Sequence, residues 1–376
     1  MKIACVAFKY FEFGGLQRDM ISISRALTQA GHDVQVWVGA QDDPTPEGVT
    51  MHCVHAKGLT NAQRDADCHQ KIQHALQANP VDCVLGFNKM PGLDFYYAAD
   101  SCFASRFGRF SLKKHLPRYQ HYLHFEEAVF GPTQTTHAFI ISAEEGKRYR
   151  AAYKTDHTRM TLLPPGIQRN RQAPPGRMAH RQTIRNEWGV ADEDCILLMV
   201  GSGFRTKGLD RSIMALASLP PADLANTQLF VVGADNPKPY QSLIKRLKLN
   251  DRVHFFGGRS DVMDFFMGAD VLLHPAYREN TGTVLLEAMI AGCPVIASAA
   301  CGYAHFIESA NGGVVIPEPF DQVQFNGAVQ TLVQDHSKRQ TYSDQGILFG
   351  QTGDIYQRDD RVVREIEARM HRSKTL

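Results

Sequence analysis

The stretch VLLHPAYRENTGTVLLEAMIAGCPVIAS, residues 271–298, contains one complete strand–helix–strand unit. Val271–His274 is an apolar run that ends at a proline, Thr283–Ala291 is apolar over a helical length, and Val295–Ala297 is apolar again. Strands that alternate with helices form parallel sheets in which the helices are the crossovers. The stretch therefore predicts an α/β fold.

The same alternation extends in both directions along the chain. The predicted strands outside the stretch are Lys2–Phe8, Val34–Val38, Cys83–Phe87, Ala138–Ile141, Ile196–Val200, Leu229–Val232 and Val253–Phe256. The predicted helices are Leu16–Ala30, one that begins with a capping box at Ser142–Glu145, Leu209–Leu219, Tyr240–Leu247, and Asp261–Met267 capped by Ser260. This repetition predicts two doubly wound parallel sheets.

A stiff Pro164-Pro165-Gly166 connector separates the two halves. It divides the chain into a first domain over residues 1–164 and a second over 165–350. The charged tail, residues 351–376, is expected to contain a helix that packs back on the first domain. Ligands of such sheets lie at the carboxyl ends of the strands, so two facing sheets would enclose a cleft.

Composition narrows the class of protein. The 376 residues carry a formal net charge of +2, so no global field indicates nucleic acid, and any basic surface must be local. Eight cysteines lack the C-x-x-C spacing of zinc and redox sites, which predicts reduced thiols in a cytosol. Lys9 and Glu12 interrupt the first apolar run, so we expect no signal peptide, and no run of about 18 apolar residues predicts a membrane span.

Two glutamates flank the start of the helix in the opening stretch. Glu279 precedes the Thr281-Gly282-Thr283 turn, and Glu287 lies inside the helix. A helix N-terminus suits a phosphate because it offers unpaired N–H groups and the positive end of a dipole. Two carboxylates that accept hydrogen bonds from hydroxyls on both sides of a phosphate fit a nucleotide sugar, which has a hexose on one side of the diphosphate and a ribose on the other. The alternative is an acidic pair that only stabilises its own helix.

A second candidate is the loop Gly201–Gly208, which follows a predicted strand. It lacks the Walker pattern of a P-loop. Its cations, Arg205 and Lys207, nevertheless suit a diphosphate leaving group, whose charge they would neutralise. A solvated basic loop is the alternative.

A third candidate, Gly14-Gly15, follows the first predicted strand and permits close backbone approach. The loop is not G-x-G-x-x-G, and no acid ends the second strand at Val38-Gly39, so a nicotinamide dinucleotide site is disfavoured. An ordinary strand–helix turn is the alternative. Asp19 close by is either a helix charge or a site acid.

Other polar residues are weaker candidates. Asp100 is a helix end or a site acid, and His305 follows a strand-end glycine and could face the cleft. His121, His124 and His274 are interpreted as core or surface histidines. No cluster has metal-ligand spacing and no D-x-D suits a metal-bound diphosphate, so we expect neither a cofactor nor a metal.

Residues 103–130 differ in composition from the rest of the chain. They contain phenylalanines at helical spacing, interleaved with cations: Phe103, Phe107 and Phe110 among Arg106, Arg109, Lys113, Lys114 and Arg118. This composition is typical of a segment that settles on an anionic membrane surface. A basic helix with a buried aromatic stripe, or an RNA-binding patch, is the alternative.

Taken together, these residues resemble the retaining glycosyltransferases of family 4, which have the GT-B fold. The resemblance rests on the E-x₇-E pair, the Gly14-Gly15 loop, the Arg205/Lys207 pair and the Pro-Pro-Gly connector. Within that family the segments KYFEFGGLQRD, GFNKMPGLD, HPAY and CGYAH are similar to the lipopolysaccharide core glucosyltransferases, nearly end to end. One departure is Asn280-Thr281, where smaller residues are expected, and it leaves the hexose selectivity open.

The resemblance implies roles for individual residues. In the second domain, the cations Arg205 and Lys207 would hold the diphosphate. Glu279 would bind the hexose and Glu287 the ribose. Backbone N–H groups would contact the phosphates from Asn280, Thr281, Gly282 and Thr283. In the first domain, Gly14 and Gly15 would meet the donor through their backbone, Asp100 would face the hexose, and Asp19 would assist the acceptor.

The activity implied is transfer of glucose from UDP-glucose to a heptose of the lipopolysaccharide inner core, with retention and without metal. The protein would lie on the cytoplasmic face of the inner membrane. Three alternatives stay open: a transferase with another UDP-hexose or a soluble acceptor, a UDP-sugar 2-epimerase, and a non-enzymatic nucleotide-binding or membrane scaffold.

Overall fold

The computed structural model describes residues 1–12, 14–106, 111–112 and 116–373. The chain forms two compact units: unit 1 is Met1–Gly166 with Tyr356–Leu376, and unit 2 is Ile167–Ile355. Each unit contains one sheet in which every described strand pair is parallel. The predicted α/β fold with two doubly wound sheets is confirmed.

Unit 1 contains a seven-stranded sheet in the order β3-β2-β1-β4-β5-β6-β7. Its elements are β1 (Lys2–Tyr10), α1 (Gly15–Gln29), β2 (Asp33–Gln41), β3 (Thr50–Cys53), α2 (Asn61–Ala78), β4 (Cys83–Gly86), β5 (Phe95–Ala98), α3 (Pro117–Phe130), β6 (His137–Ile140), α4 (Ala143–Tyr153) and β7 (Met160–Leu162), with short 3₁₀ helices at Ala104–Arg106 and His157–Arg159.

Unit 2 contains a six-stranded sheet in the order β10-β9-β8-β11-β12-β13. Its elements are a 3₁₀ helix (Arg169–Arg171), α5 (Arg177–Trp188), β8 (Cys195–Val200), α6 (Phe204–Lys207), α7 (Leu209–Ala217), α8 (Pro221–Ala225), β9 (Thr227–Val232), α9 (Lys238–Arg246), β10 (Val253–Gly257), α10 (Val262–Gly268), β11 (Val271–His274), α11 (Thr283–Ile290), β12 (Val295–Ser298), α12 (Ala304–Ala310), β13 (Gly313–Ile316), α13 (Gln322–Gln334) and α14 (His336–Thr352).

Both faces of each sheet are covered by helices. In unit 1, α1 buries Met20, Ile23 and Leu27 on one face, and α2 buries Cys68 and Ile72 on the other. Strand order reverses between β1 and β4 in unit 1 and between β8 and β11 in unit 2. At such a switch point neighbouring crossovers leave in opposite directions, which opens a crevice at the strand carboxyl ends. The sheets therefore fix where a ligand can bind in each unit.

The last helix described is α15 (Arg358–Ser373), which packs on α1 of unit 1. Val362, Val363 and Ile366 are buried in the same core as α1. At the start of the helix, Arg358 is only 5% exposed and its Nη1 lies 2.6 Å from Oδ1 of Asp19. A buried ion pair thus links the end of the chain to the first crossover helix.

The end of β2 and the start of α10 are among the details that differ from the sequence-based expectations. β2 was expected to end at Val38, with no acidic residue there. It extends to Gln41 and is followed by Asp42, which pairs with Lys9 at 2.5 Å. The glycine pattern of a dinucleotide loop remains absent. The N-cap position of helix α10 is Asp261 rather than Ser260, and the Asp261 side chain makes no capping hydrogen bond. None of the described helices is long and apolar enough to span a membrane.

Replacement of Arg358 by Met is expected to destabilise unit 1 by about 3 kcal/mol, since it leaves the largely buried Asp19 carboxylate without its cation. Urea unfolding would be followed by the fluorescence of Trp37, which lies in β2, in a Trp188→Phe background that leaves it as the single tryptophan. Arg361→Met is the control, since Arg361 makes an exposed pair with Glu365 on the same helix and should cost at most about 0.5 kcal/mol. Equal effects of the two substitutions would contradict the assignment.

Candidate active site

Two loops of unit 2 meet at the switch point of its sheet. β8 and β11 are neighbours, and the chain leaves them into Gly201–Gly208 and Pro275–Gly282 respectively. Nζ of Lys207 forms an ion pair with Oε2 of Glu279 across these loops. Burial lowers the pKa of Lys207 even though the carboxylate lies against it. The structure thus brings together a cation and a carboxylate that sequence analysis assigned to two separate motifs.

The loop that carries Glu279 is held in place by the backbone after β12. Glu279 and Cys301 form a parallel bridge, Gly302 N donates to Glu279 O at 3.2 Å, and Tyr303 N donates to Thr281 O at 2.7 Å. A Cβ at Gly302 would lie 2.0 Å from Asn280 O, so glycine is required there for the close approach. The CGYAH segment therefore supports the Glu279 loop from behind.

Helix α11 begins directly after this loop. Its N-cap is Gly282, whose φ of +88° favours glycine. Leu285 N already donates to Gly282 O at 2.9 Å, so the N–H groups at the start of the helix that suit an anion are those of Thr283 and Val284. Glu287 lies on the same helix, and Nε of Arg171 lies 3.9 Å from its Oε1. Arg171, in a short 3₁₀ helix, carried no signal in the sequence.

Arg205 lies in the four-residue helix α6, between glycines in the left-handed conformation at 203 and 208. Phe204 N donates to Asp235 Oδ2 at 2.7 Å, which fixes the start of this turn. A Cβ at Gly208 would lie 2.1 Å from Pro275 O, so the two loops touch through backbone. Arg205 itself is exposed, in contrast to the partly buried Lys207.

His274 ends β11 and is fully buried. Its Nε2 lies 3.4 Å from Oε2 of Glu279, while its Nδ1 has no hydrogen-bond partner. Burial lowers the pKa of His274 to about 3, and the Lys207 cation adds to the effect. The imidazole is therefore neutral near pH 7 and must donate its Nε2–H to Glu279, because a carboxylate only accepts. Of the two alternatives for His274, core or surface, the structure shows the core one, and the contact with Glu279 had no signal in the sequence.

In unit 1, the predicted glycines precede α1. Gly14 is the N-cap of the helix, and a Cβ there would overlap the side chain of Gln17. Gly15 is exposed, and a Cβ there would meet none of the described atoms within 4 Å. Packing against the described residues therefore does not explain the glycine at 15, whereas close approach of a ligand would.

Asp19 is engaged within the protein. Its Oδ1 pairs with Arg358 at 2.6 Å, and its Oδ2 accepts from the hydroxyl of Tyr97 at 2.8 Å. Both oxygens thus join α1 to α15 and β5. This arrangement assigns Asp19 a structural role, and its assistance to an acceptor stays a prediction.

Asp100 lies in the loop after β5 and reaches the surface. Loss of hydration in the surrounding protein raises the pKa of the Asp100 carboxyl, and the cations of Lys89 and Arg106 oppose that rise. Tyr149 donates from its hydroxyl to the backbone carbonyl of Asp100 at 2.6 Å. Asp100 is exposed and its carboxylate has Asn88, Lys89 and Arg106 around it, while its backbone is held by Tyr149.

The remaining features considered in the sequence are His305, a metal site and the basic aromatic segment. His305 is exposed on α12, and its Nδ1 lies 3.0 Å from Gly302 O. Within the described part of the chain, no group of three or more His, Cys, Asp or Glu could hold a metal ion. Phe103 packs on Tyr119 and Tyr122. Five of the aromatic and cationic residues named for the basic aromatic segment lie outside the described residues: Phe107, Arg109, Phe110, Lys113 and Lys114.

Comparison with known proteins identifies the family. The chain is 40% identical over 358 residues to the lipopolysaccharide glucosyltransferase WaaG of Escherichia coli strain K12, covering 95% of this chain and 96% of WaaG. The chain belongs to the WaaG family of glycosyltransferases. Residues 180–348, within unit 2, match the family model for glycosyl transferases group 1.

Solved structures agree with this assignment. The crystal structure of WaaG, a glycosyltransferase involved in lipopolysaccharide biosynthesis, matches with a TM-score of 0.90 and 39% identity, covering 96% of this chain and 98% of that one. The Anabaena protein HepE in complex with UDP and glucose matches with a TM-score of 0.77 at 18% identity, covering 98% of this chain and 100% of HepE. The second likeness concerns the fold alone. The predicted GT-B fold and glycosyltransferase family are confirmed.

Burial of neutral His274 makes the stability of this glycosyltransferase depend on pH. The unfolded histidine takes up a proton near pH 6.5, whereas the folded one does so only at about pH 3. Unfolding therefore binds a proton between these values, and the stability of unit 2 falls as pH decreases, by about 1.4 kcal/mol per pH unit. His274→Gln keeps an N–H near Glu279 without titrating, so it should reduce the slope between pH 4 and 6 by about that amount.

Urea unfolding measured with Trp188 as the single tryptophan, in a Trp37→Phe background, would report on unit 2, because Trp188 packs there on Phe230 and Phe265. His305→Gln, at an exposed position, is the control and should leave the slope unchanged. An unchanged slope in His274→Gln would show that His274 already carries a proton in the folded state.

Proposed function

We propose that this glycosyltransferase moves glucose from UDP-glucose to a heptose of the lipopolysaccharide inner core, with retention of configuration and without a metal ion. The observation that carries the proposal is the contact of Lys207 with Glu279 beside the start of α11. It places a cation, a carboxylate and a helix N-terminus at one switch point, which is the chemistry that a sugar diphosphate requires. Similarity to WaaG supports the sugar and the acceptor.

In this proposal Lys207 and Arg205 neutralise the diphosphate, and the start of α11 adds backbone N–H groups. Glu279 accepts hydrogen bonds from hydroxyls of the hexose, and Glu287 accepts them from hydroxyls of the ribose. Donor binding would replace the Lys207–Glu279 ion pair, because each partner would turn to the part of the donor that it recognises. The buried cation is thus kept paired until the phosphates arrive, which avoids an uncompensated charge.

The reaction proposed is front-face substitution. The bond between the anomeric carbon and the β-phosphate oxygen breaks, the acceptor oxygen bonds to the same carbon on the same face, and the departing phosphate takes the acceptor proton. No described carboxylate is assigned as a nucleophile. Catalysis then rests on position and on charge stabilisation of the leaving UDP. In unit 1, Gly15 would allow close approach of the donor, Asp100 would face the hexose, and Asp19 would act near the acceptor.

The test is transfer from labelled UDP-glucose with and without heptose-terminated lipopolysaccharide, with chelator present throughout. Label that moves only to the lipid acceptor would support the donor, the acceptor class and metal independence together. Transfer only to a soluble sugar would favour a different acceptor, and turnover of UDP-glucose to another UDP-hexose without acceptor would favour an epimerase. Binding of UDP without any turnover would favour a scaffold.

In the same assay Glu279→Gln should lower kcat on the order of 10²–10³-fold, since it removes the charged group that hydrogen-bonds the hexose of UDP-glucose. Glu308→Gln makes the same change at an exposed position of α12 in the same unit and should leave the rate unchanged. Full transfer activity in Glu279→Gln would overturn the assignment of Glu279.

The proposal places the enzyme on the anionic cytoplasmic surface of the inner membrane through residues 103–130. Within the described part of this segment, the large apolar side chains of Leu112 and Leu116 are 84% and 52% exposed, and Arg106 lies over the ring of Phe103. Exposed leucines beside cations suit an interface between headgroups and acyl chains.

Sedimentation with phosphatidylglycerol vesicles should pull down the protein, and phosphatidylcholine vesicles should not. The double substitution Leu112→Ser/Leu116→Ser should weaken binding on the order of tenfold, since it removes apolar surface from the lipid contact. Leu59→Ser is the control, because Leu59 is 96% exposed in the same unit but lies outside the segment. Equal weakening by the control would exclude these leucines as the contact.

A further inference from the structure

The loop after β5 is held by side chains along its whole length. From Asp100 to Ala104, each residue has a backbone polar group bonded to a side chain of another element. Tyr149 donates to the carbonyl of Asp100 at 2.6 Å, and Lys89 donates to that of Ser101 at 2.9 Å. Glu145 accepts from Cys102 N at 2.7 Å, and Glu126 accepts from Phe103 N at 2.8 Å and Ala104 N at 2.9 Å.

Glu126 is the centre of this arrangement. It lies on α3, is 0% exposed and accepts five hydrogen bonds, two on Oε2 and three on Oε1. Besides the two loop amides, the donors are Nζ of Lys89 at 2.5 Å, the hydroxyl of Tyr153 at 2.9 Å and, more weakly, the thiol of Cys102 at 3.6 Å. A carboxylate has about four lone-pair sites, so all of them are in use. A fully satisfied buried acid is rigid, and each lost bond exposes a desolvated group.

Lys89 joins the two sides of the loop. Its ammonium bonds both Glu126 and the carbonyl of Ser101, and it lies 5.1 Å from the centre of the Tyr149 ring. It is also one of the two cations that oppose the raised pKa of Asp100. The side chains that hold the backbone of the loop therefore also set the electrostatic surroundings of the acid that the loop carries.

We propose that Glu126, Lys89 and Tyr149 are positioning residues for Asp100 in the transfer reaction, which they serve without touching substrate. The inference rests on the proposed function, in which Asp100 faces the transferred hexose. Conformational freedom in this loop would lower the fraction of molecules with Asp100 in its productive place. Loss of a side-chain bond made directly to the backbone of residues 100–104 should therefore act on kcat, while the donor contacts proposed for unit 2 keep KM for UDP-glucose unchanged.

Two tyrosines on α4 provide a matched pair. Tyr149→Phe removes the hydroxyl that holds the Asp100 carbonyl, and Tyr153→Phe removes a hydroxyl that bonds Glu126 but not the loop. Both changes keep the ring and delete one hydrogen bond. Tyr149→Phe should lower kcat about tenfold, equivalent to about 1.4 kcal/mol for one bond, with KM unchanged. Tyr153→Phe should keep kcat within about twofold.

A second pair of variants tests Glu126, the centre of the hydrogen bonds that hold the loop. Glu126→Gln keeps the size of the side chain and loses the charge, and Glu127→Gln makes the same change at the next, exposed position of α3. Glu126→Gln should lower kcat at least as much as Tyr149→Phe, and Glu127→Gln should not. Should Glu126→Gln fail to fold, the tyrosine pair decides alone.

Hydrogen exchange at residues 102–104, measured by mass spectrometry, follows the loop independently of activity. Exchange should quicken in Tyr149→Phe and in Glu126→Gln but not in the two controls. Equal kcat in the two tyrosine variants, or a loosened loop with unchanged kcat, would overturn the inference. Absence of glucose transfer by the wild-type enzyme would instead count against the proposed function. The exchange measurement does not need activity, so it would still test whether these side chains hold the loop.

Discussion

Burial of parallel strands on both faces is the constraint on which the rest of this structure depends. A strand covered by helices on two sides can present polar groups only where it ends, so the chemistry collects at the carboxyl edges of the two sheets. The reversal of strand order next to β1 and β8 then selects the place along each edge. The loops that carry Gly14-Gly15, Lys207 and Glu279 all follow strands at these positions.

The sheets could be predicted because buried strands are short apolar runs, and Val271–His274 was predicted with the bounds that the structure has. Helix α2 was missed, since only Cys68, Ile72 and Leu76 of its residues are buried and its remaining surface is polar. The end of β2 was placed too early because the apolar pattern fades at Gly39, while the ladder with β1 continues to Gln41. Periodicity reports which residues are buried, and it cannot report hydrogen bonds that continue past the core.

The candidate site was predictable as a set of loops but not as a set of contacts. Glu279, Lys207 and the start of α11 each had a local signal in turn and charge pattern. The ion pair between the first two, and the neutral His274 behind it, depend on the order of strands in the sheet, which the sequence does not state. Asp19 shows the limit most clearly, because its partner Arg358 lies more than 300 residues further along the chain, and this ion pair between α1 and α15 gave no local signal.

The two units hold their loops by different means. In unit 2 the Glu279 loop is joined to residues 300–303 mainly through backbone hydrogen bonds, which tolerate most substitutions apart from the glycine at 302. In unit 1 the loop of Asp100 is held by side chains of β4, α3 and α4 and the turns beside them, so its position depends on which residues stand there. The loop proposed to hold the donor is therefore fixed largely by backbone that most side chains leave unchanged. The loop of unit 1 can change its position with few substitutions, because the side chains that hold it lie on other elements.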